Sequence, residues 1–332
     1  MRFLVVGGGS MGKRRTRCLL ANNVPKDQIE LVDTREDRRA EVSELLGVNV
    51  HASLEDGMAT GPDAVIVSVP GAHHMAACLV AARAGKHFFS EVPLSIDLEG
   101  TEELLELVKG QSLVAAPGTQ PPFHPLVKQA KAWMEDPAFG KLLMINEAFG
   151  SYLPGWHPYE DYREFYASRQ GMGGGNLDVV AQEQAALYWL IGDRVQRVIA
   201  SGKKLSTLEI DGSDCWQLIG ETAGGVTITQ WFDMVQRDAQ SLSRYISEAG
   251  TVEVSIRDGY VRRFLAETGQ WERVTPPAGF VYEQCYIDEI ALFIRCIRGG
   301  DTWHNPISTA IDVIKYLLAI QQSDKTRAWV EV

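Results

Sequence analysis

The feature that most constrains the fold is a glycine-rich turn near the amino terminus. The apolar run "FLVV" leads directly into Gly7-Gly8-Gly9-Ser10-Met11-Gly12, which has the spacing G-x-G-x-x-G and opens a helical pattern. In such a turn, glycine permits the tight bend, the close approach of a pyrophosphate, and the packing of helix on strand. A bound phosphate would also meet the positive end of the helix. The pattern predicts a dinucleotide-binding βα unit.

A carboxylate in register with this turn strengthens the prediction and favours one cofactor. Asp33 ends the second predicted strand, 21 residues after Gly12 (33 − 12), where its oxygens would accept hydrogen bonds from ribose hydroxyls. Because the same charge would repel a 2′-phosphate, NAD(H) is favoured. Arg35 and the run Lys13-Arg14-Arg15 keep NADP(H) open as the alternative. A second interpretation is a glycine-rich turn in an α/β fold that binds nothing.

The hydrophobic pattern changes character about a third of the way along the chain. Up to residue 119, short apolar runs alternate with helical periodicity, which is typical of βαβ units and a parallel sheet. After a proline-rich hinge, "PGTQPPFHP", long runs alternate polar and apolar residues, as in an antiparallel sheet with one open face. We predict an α/β protein with an N-terminal Rossmann domain, 1–119, and a C-terminal α/β domain, 120–332, whose open sheet is mostly antiparallel. An open sheet face favours a homodimer or homotetramer.

Composition excludes several classes of partner. With 32 basic and 43 acidic residues the formal net charge is −11, which argues against nucleic acid, since that partner needs a basic footprint. No apolar run approaches the ~20 residues that span a bilayer, so no membrane partner is expected. The five cysteines are scattered without any Cys-x-x-Cys spacing, so neither structural disulfides nor a zinc site is expected. These features predict a reduced, cytoplasmic protein.

Several segments together resemble the Gfo/Idh/MocA family, the relatives of glucose–fructose oxidoreductase and inositol dehydrogenase. The resemblance implies a Rossmann domain, a C-terminal α/β domain with an open sheet, bound NAD(H) or NADP(H), and oxidation or reduction of a sugar-like carbon. Within the family, "HPYEDYREFYASRQGMGGG" is most similar to members of bacterial surface-sugar pathways. The likeness covers nearly the whole chain and is carried by "GGGSMGKRR", "VDTRED", "VPGAHHMAACLVAARAGKHFFSEVPLS", "GTQPPFHP", "GMGGGNLDVVAQEQAALYWLIG", "YIDEIALFIRCIRGG" and "AIDVIKYLLAIQQS".

The chain departs from this family at two chemically important positions. The family usually has Glu-Lys-Pro where this chain has Glu91-Val92-Pro93. It usually has a histidine four residues after an aspartate, where this chain has Gln182 after Asp178. These two residues are one helical turn apart and would share a face. Valine holds no proton and glutamine does not titrate, so both of the family's usual proton-handling groups are absent.

The candidate cofactor contacts come from the glycine turn and from the carboxyl ends of later strands, where ligands bind to such sheets. A helix-capping role is the alternative for His74, and a structural role is weighed against a ribose contact for Glu91. The full set is Gly7, Gly9, Ser10, Met11, Gly12, Asp33, Thr34, Arg35, Ser68, Val69, Pro70, His74 and Glu91.

The candidate catalytic and substrate-binding residues lie at and beyond the hinge. His157 stands in the aromatic, charged loop "PGWHPYEDYR" and would act as acid or base, with Asp178 and Gln182 beside the substrate. Arg163 would clamp a carboxylate or phosphate. A packing role is the alternative for the loop, as it is for His124. The candidate substrate contacts are Gln120, His124, Trp156, Tyr159 and Arg163.

Three functional hypotheses follow. The first is an NAD(P)-dependent oxidoreductase that acts on a sugar, amino sugar or nucleotide sugar with an atypical proton relay. The second is reduction of an imine or conjugated bond, which can take its proton from water and suits an apolar residue at position 92. The third is a catalytically inactive partner or sensor protein that binds NAD or a sugar, which the loss of both proton-handling residues would explain.

Overall fold

The computed structural model describes all 332 residues, which form fifteen strands and nine α-helices. In chain order, strands β1 to β15 are Phe3–Val6, Ile29–Val32, Asn49–His51, Ala64–Val67, His87–Ser90, Ala115–Pro117, Leu142–Gly150, Val195–Lys203, Cys215–Thr222, Thr227–Asp233, Gln240–Ser247, Gly250–Ser255, Tyr260–Leu265, Gln270–Val274 and Val330–Glu331. Helices α1 to α9 are Ser10–Ala21, Glu36–Leu46, Leu54–Ala59, His74–Arg83, Thr101–Gly110, Pro125–Met134, Leu177–Ile191, Glu283–Ile297 and Ile307–Thr326. None of these helices combines the length and apolar character needed to cross a bilayer.

The chain divides into two compact units. The first comprises residues 1–120 together with 282–311, and the second comprises 121–281 together with 312–332. A single boundary after residue 119 does not anticipate this return of residues 282–311 to the first unit. The returning helix α8 packs against α1, and the Asn22 side chain donates to the Ile287 carbonyl at 3.0 Å.

The first unit is built on a six-stranded parallel sheet in the order β3-β2-β1-β4-β5-β6. Every residue of β1 and β4 is buried, as expected for central strands of a sheet that is covered on both faces. The strand order reverses between β1 and β4, and dinucleotides bind outside the carboxyl ends of the strands at such a point. The predicted Rossmann fold is therefore confirmed.

The second unit contains a nine-stranded sheet in the order β14-β13-β12-β11-β7-β10-β9-β8-β15. Strands β7 and β10 pair in parallel, and the other neighbours are antiparallel. The prediction of a mostly antiparallel sheet is confirmed.

The two faces of this second sheet differ in polarity and exposure. Ile145, Glu147 and Phe149 alternate along β7 on the buried face. On the open face, Met144 and Trp231 are 43% and 45% exposed. These exposed side chains make this face a candidate interaction surface.

Candidate functional site

The glycine turn of the first unit has two positions where no side chain fits and one that is open. Gly7 has φ of +106°, and a Cβ there would lie 2.5 Å from the Ser68 carbonyl oxygen. A Cβ on Gly12 would lie 1.7 Å from the Gly7 carbonyl oxygen. At Gly9 the nearest atom to a Cβ is Arg38 Nη1, at 3.7 Å. Gly7 and Gly12 therefore shape the turn, while the surface at Gly9 remains clear for a ligand.

Helix α1 begins directly at this open surface. It has Gly9 as its N-cap, without any side-chain capping hydrogen bond and without an acidic residue in the first turn. The first turn, which includes Ser10 and Met11, thus presents backbone N–H groups and the positive end of the helix dipole. An anion is the ligand that such an uncapped terminus favours.

Asp33 lies beside the turn at the carboxyl end of β2 and is 8% exposed. Its Oδ2 accepts from the Gly8 N–H at 2.7 Å, and its Oδ1 accepts from the Arg35 N–H at 2.8 Å. Each carboxylate oxygen keeps a further acceptor site, so Asp33 can both hold the turn and accept a ribose hydroxyl. The neighbouring Thr34 carbonyl accepts from Arg39 Nη1 at 2.9 Å.

All four basic residues that favour NADP(H) as the alternative cofactor form ion pairs with acidic side chains. Lys13 pairs with Glu41 at 2.6 Å, and Arg14 pairs with Glu283 at 3.1 Å. The Arg35 guanidinium lies 2.5 Å from Asp37. Arg15 is fully buried between Glu91 and Glu289, so it is withdrawn from any 2′-phosphate.

Arg38 is a site residue that the sequence analysis missed. It lies in the first turn of α2, with Nη1 3.8 Å from Asp33 Oδ2, and its side chain is 36% exposed. The same nitrogen would lie 3.7 Å from a Cβ on Gly9, so this cation stands beside both the glycine turn and Asp33. Its place, five residues after the acid that ends β2, is the signal that could have identified it.

Two turns at the carboxyl ends of β4 and β5 are joined by His74. Its Nε2 lies 2.6 Å from the Val69 carbonyl oxygen, and its Nδ1 lies 2.6 Å from the Pro93 carbonyl oxygen. Burial lowers the pKa of His74, so at neutral pH the ring has one N–H and donates to one of these carbonyl groups. His74 thus ties the turn that contains Val69 and Pro70 to the Val92-Pro93 turn, whose peptide bond is cis.

Two further predicted cofactor residues occupy these turns. The buried Ser68 hydroxyl has no hydrogen-bond partner within the protein, so it is available to a ligand. Both oxygens of Glu91 accept from Arg15, at 2.5 and 3.0 Å. Those contacts favour the structural role that was weighed against a ribose contact for Glu91.

The residues around the hinge have partners of their own. Gln120 donates to the Tyr286 hydroxyl at 3.3 Å within the first unit. His124 caps α6 in the second unit, with Nδ1 accepting from the Leu126 N–H at 3.2 Å and its ring against the edge of Phe280. Burial lowers the pKa of His124 to about 4, so it is neutral at physiological pH. These contacts give His124 a structural role.

The start of α7 contains two buried polar groups that lack partners. Asp178 accepts from the Tyr166 hydroxyl through Oδ2, at 3.0 Å, whereas Oδ1 is buried without a hydrogen bond. Burial raises the pKa of Asp178 to about 6, although the Tyr166 hydroxyl and the backbone N–H groups of Val179 and Asp178 oppose the shift. The Asn176 side-chain amide nitrogen is likewise buried and unpartnered. The first is an acceptor and the second is a donor.

Glycines shape the approach to this site. A Cβ on Gly174 would lie 2.4 Å from the Tyr166 carbonyl oxygen, so the chain passes close to the turn that contains Tyr166. Trp216 donates to the Gly175 carbonyl at 3.0 Å. Gln182 follows Asp178 by one turn of α7 and is half-buried.

The aromatic loop brings His157 near this site without a direct hydrogen bond to Asp178. His157 Nδ1 lies 2.8 Å from the Tyr159 hydroxyl. Its ring contacts Phe165 at 4.7 Å between centroids, and Phe165 in turn contacts Tyr166 at 4.6 Å. The Tyr166 hydroxyl, in turn, donates a hydrogen bond to Asp178. Sequence reasoning missed it because irregular 3₁₀ turns carry no periodic signal.

The predicted substrate contacts in the loop differ in availability. Trp156 donates to the Ser151 hydroxyl at 2.7 Å, and Tyr159 is 69% exposed. Arg163 pairs with Asp161 at 2.6 Å and with Glu209 at 3.3 Å. Its charge is thus matched, and a substrate anion would have to compete with these carboxylates.

A cavity within the second unit was not predicted. Its lining includes Glu147, Glu183, Phe149, Leu187 and Tyr245. Glu147 accepts from Gln230, Ser243 and Tyr245. Burial and the nearby Glu147 raise the pKa of Glu183 to about 8. The Glu183 side chain is partly exposed at the cavity surface, which reduces the effect of burial on its pKa.

Comparison with known proteins adds family and fold relationships. Residues 1–119 match the GFO_IDH_MocA family model, described as an oxidoreductase family with an NAD-binding Rossmann fold. Myo-inositol 2-dehydrogenase of Thermotoga maritima is 29% identical over 319 residues, which cover 91% of this chain and 89% of the relative.

Two solved structures share the fold along the whole chain. Levoglucosan dehydrogenase in complex with NADH and levoglucosan is 19% identical with a TM-score of 0.88, covering 100% of this chain and 99% of that one. The WlbA dehydrogenase of Bordetella pertussis, in complex with NADH and UDP-GlcNAcA, is 19% identical with a TM-score of 0.82, covering 100% and 98%. At these identities the similarity establishes the fold.

Proposed function

We propose that this chain, whose residues 1–119 match the GFO_IDH_MocA oxidoreductase family model, is an NAD-dependent dehydrogenase of a sugar, amino sugar or nucleotide sugar. Polyhydroxy compounds appear in the names of its relatives, which act on or bind inositol, levoglucosan or UDP-GlcNAcA. The cofactor contacts proposed above include the open surface at Gly9 and the Asp33 carboxylate. The dinucleotide, when bound, supplies the hydride chemistry.

The observation that carries the proposal is the buried, unpartnered Oδ1 of Asp178. Oxidation of an alcohol carbon requires a group that takes the hydroxyl proton as the hydride leaves. With a pKa of about 6, Asp178 is mostly ionised at neutral pH and can act as that base. In the reverse direction the protonated carboxyl group would return the proton to the carbonyl oxygen.

Neighbouring groups support this role for Asp178. The Tyr166 hydroxyl holds Oδ2 and so directs Oδ1 away from that contact. The unpartnered amide of Asn176 could donate to the substrate oxygen. This arrangement would replace the lysine and histidine that are absent at Val92 and Gln182, and Gln182 would serve only as a hydrogen-bonding group.

His157 is the second candidate for proton transfer. Its hydrogen bond to the Tyr159 hydroxyl and the exposure of that tyrosine suit a group that exchanges protons with solvent. We place it as a relay that reaches Asp178 by way of water or substrate, since the aromatic ring of Phe165 lies against its imidazole.

The test measures reduction of NAD⁺ at 340 nm with inositols, free sugars, amino sugars and nucleotide sugars. Turnover by the unmodified protein, reduced about 10²–10⁴-fold in Asp178→Asn with unchanged NADH affinity, is the expected result. Asp238→Asn is the matched control, because Asp238 is exposed. NADH binding without turnover on any alcohol would refute the proposal.

The apolar side chain of Val92 favours one alternative, the reduction of an imine or conjugated bond. Such a reaction takes its proton from water or substrate. Oxidation of NADH by imines or enones, together with rejection of alcohols, would support it. Failure in both assays would instead support a catalytically inactive protein that binds NAD or a sugar.

A further inference from the structure

Arg15 is the centre of a buried ionic network in the first unit. Its side chain is 0% exposed. Nε and Nη2 donate to the two oxygens of Glu91 at 2.5 and 3.0 Å, and Nη1 donates to Glu289 Oε2 at 2.7 Å. The remaining oxygen of Glu289 accepts from the Thr119 N–H at 2.6 Å. One guanidinium thus joins, directly or through Glu289, four separate segments of the chain.

Three of these segments border the position of a dinucleotide. Arg15 lies in the second turn of α1, whose first turn faces the phosphate position. Glu91 follows β5 and immediately precedes the Val92-Pro93 turn, while Thr119 follows β6. Ligands bind at the carboxyl ends of the strands, with one nucleotide on each half of the sheet. The network therefore belongs to the half formed by β4, β5 and β6, opposite the half that contains Asp33.

The contacts of Arg15 restrict the positions of the residues in this network. The paired contact with Glu91 fixes both the distance and the plane of that carboxylate. The guanidinium also lies over the Phe89 ring at 4.4 Å and the Tyr286 ring at 5.2 Å. With solvent excluded, ionic contacts are screened weakly, so a displacement of Glu91 or Thr119 would be costly.

A fixed position of the Val92-Pro93 turn matters because of the residue type at position 92. A lysine at this position could donate hydrogen bonds to a ligand through a flexible side chain. Val92 has no polar side-chain atom and can make only van der Waals contacts. The distance between Val92 and the glycine turn must therefore be fixed by contacts within the protein. Arg15 connects these two features, because it is part of α1 and is bonded to the residue before Val92.

We propose that Arg15 and Glu289 are positioning residues for the nicotinamide half of the bound dinucleotide. By fixing Glu91 and Thr119 relative to α1, they set the spacing between the phosphate-binding turn and the Val92-Pro93 turn. The proposal rests on the NAD-dependent function proposed above. It is tested by binding alone, so failure to find a sugar substrate would leave it unaffected.

The experiment compares NADH with ADP-ribose, which has both phosphates and both riboses but lacks the nicotinamide ring. Dissociation constants for both are measured for Glu289→Gln and Arg15→Lys. We expect NADH affinity to fall about tenfold, equivalent to about 1.4 kcal/mol, while ADP-ribose affinity stays within about twofold of the unmodified protein. A general loss of structure would weaken both ligands, so the ratio of the two constants separates positioning from stability.

The controls address folding and surface charge. Arg83→Lys changes an exposed arginine of the first unit that pairs with Glu103, and both affinities should be retained. Circular dichroism identifies folded variants, and Glu91→Gln takes the place of any variant that does not fold, because it keeps a hydrogen-bond acceptor for Arg15. Equal losses of NADH and ADP-ribose affinity, or unchanged NADH affinity in the folded variants, would overturn the proposal.

Discussion

Tyr166 and Asp178 form a hydrogen-bonded pair in which one carboxylate oxygen is held at 3.0 Å and the other is buried and unpartnered. This asymmetry separates two roles within one side chain. Oδ2 fixes the orientation of the carboxylate, and Oδ1 is left to receive a proton. The Tyr166 hydroxyl also lowers the pKa of Asp178 against the larger effect of burial, which raises it to about 6.

The pair predicts a specific pH profile. Because the base must be ionised to accept a proton, kcat/KM for alcohol oxidation should fall as the pH decreases below about 6. Tyr166→Phe removes a donor that favours the ionised form, so the acidic limb should move to higher pH. If the acidic limb of the Tyr166→Phe profile is not shifted, a group other than Asp178 is responsible for the titration. The pH profile of His157→Ala then tests whether that group is His157.

The glycine turn predicts opposite outcomes for two similar substitutions. Gly12→Ala places a methyl group 1.7 Å from a carbonyl oxygen and should lower the free energy of unfolding by about 3 kcal/mol. Gly9→Ala has room for its methyl group, so stability should be nearly unchanged while NADH affinity falls. Urea denaturation and NADH titration of both variants check this, and equal stability loss in the two would contradict it.

Cofactor preference should depend on Asp33 and Arg38 in opposite directions. Asp33→Ser removes the charge that repels a 2′-phosphate, so the ratio of NADP(H) to NAD(H) affinity should rise. Adding Arg38→Ala to that variant should remove the gain, because the Arg38 guanidinium lies 3.8 Å from the Asp33 carboxylate. Fluorescence titration with NADH and NADPH measures the ratio, and Arg83→Ala, at an exposed arginine outside the cofactor contacts, is the control. A gain that survives loss of Arg38 would identify a different cation.

Glu183 predicts a stability that decreases with rising pH. Its pKa is raised from 4.5 to about 8, so between these values the folded protein binds more protons than the unfolded chain. Folding stability therefore declines as the pH rises through this interval. Glu183→Gln should raise the free energy of unfolding at pH 8 by about 1–2 kcal/mol and leave it unchanged at pH 4. Urea denaturation at both pH values is the measurement, and a gain of equal size at pH 4 would point to packing.

The open face of the second sheet should mediate the proposed self-association into a homodimer or homotetramer. Trp231→Glu places a charge among exposed apolar side chains, so we expect a lower molar mass by light scattering. Leu205→Glu is the control, since Leu205 is 65% exposed in a loop. An unmodified protein that is monomeric at all concentrations would contradict the proposal.

The local parts of the fold could be predicted from the sequence because their signals are contiguous. The apolar run before Gly7, the acid at Asp33 and the alternation along β7 each report a nearby backbone environment. The Arg15–Glu289 pair joins residues 274 positions apart, and no periodicity connects them. Tyr166 and Arg38 were missed for a related reason, since their roles depend on how separate turns meet in space.

The position of Glu289 in the chain has a consequence for biosynthesis. Arg15 is made early, but its second counter-charge arrives only with α8, after more than four-fifths of the chain (288 of 332 residues) has been translated. At about 5–20 residues per second, roughly 14–55 seconds separate the two. During this interval the nascent N-terminal segment lacks the Arg15–Glu289 contact, and the Arg15 charge is balanced only by Glu91. A fragment that stops at residue 120 would lack this contact permanently.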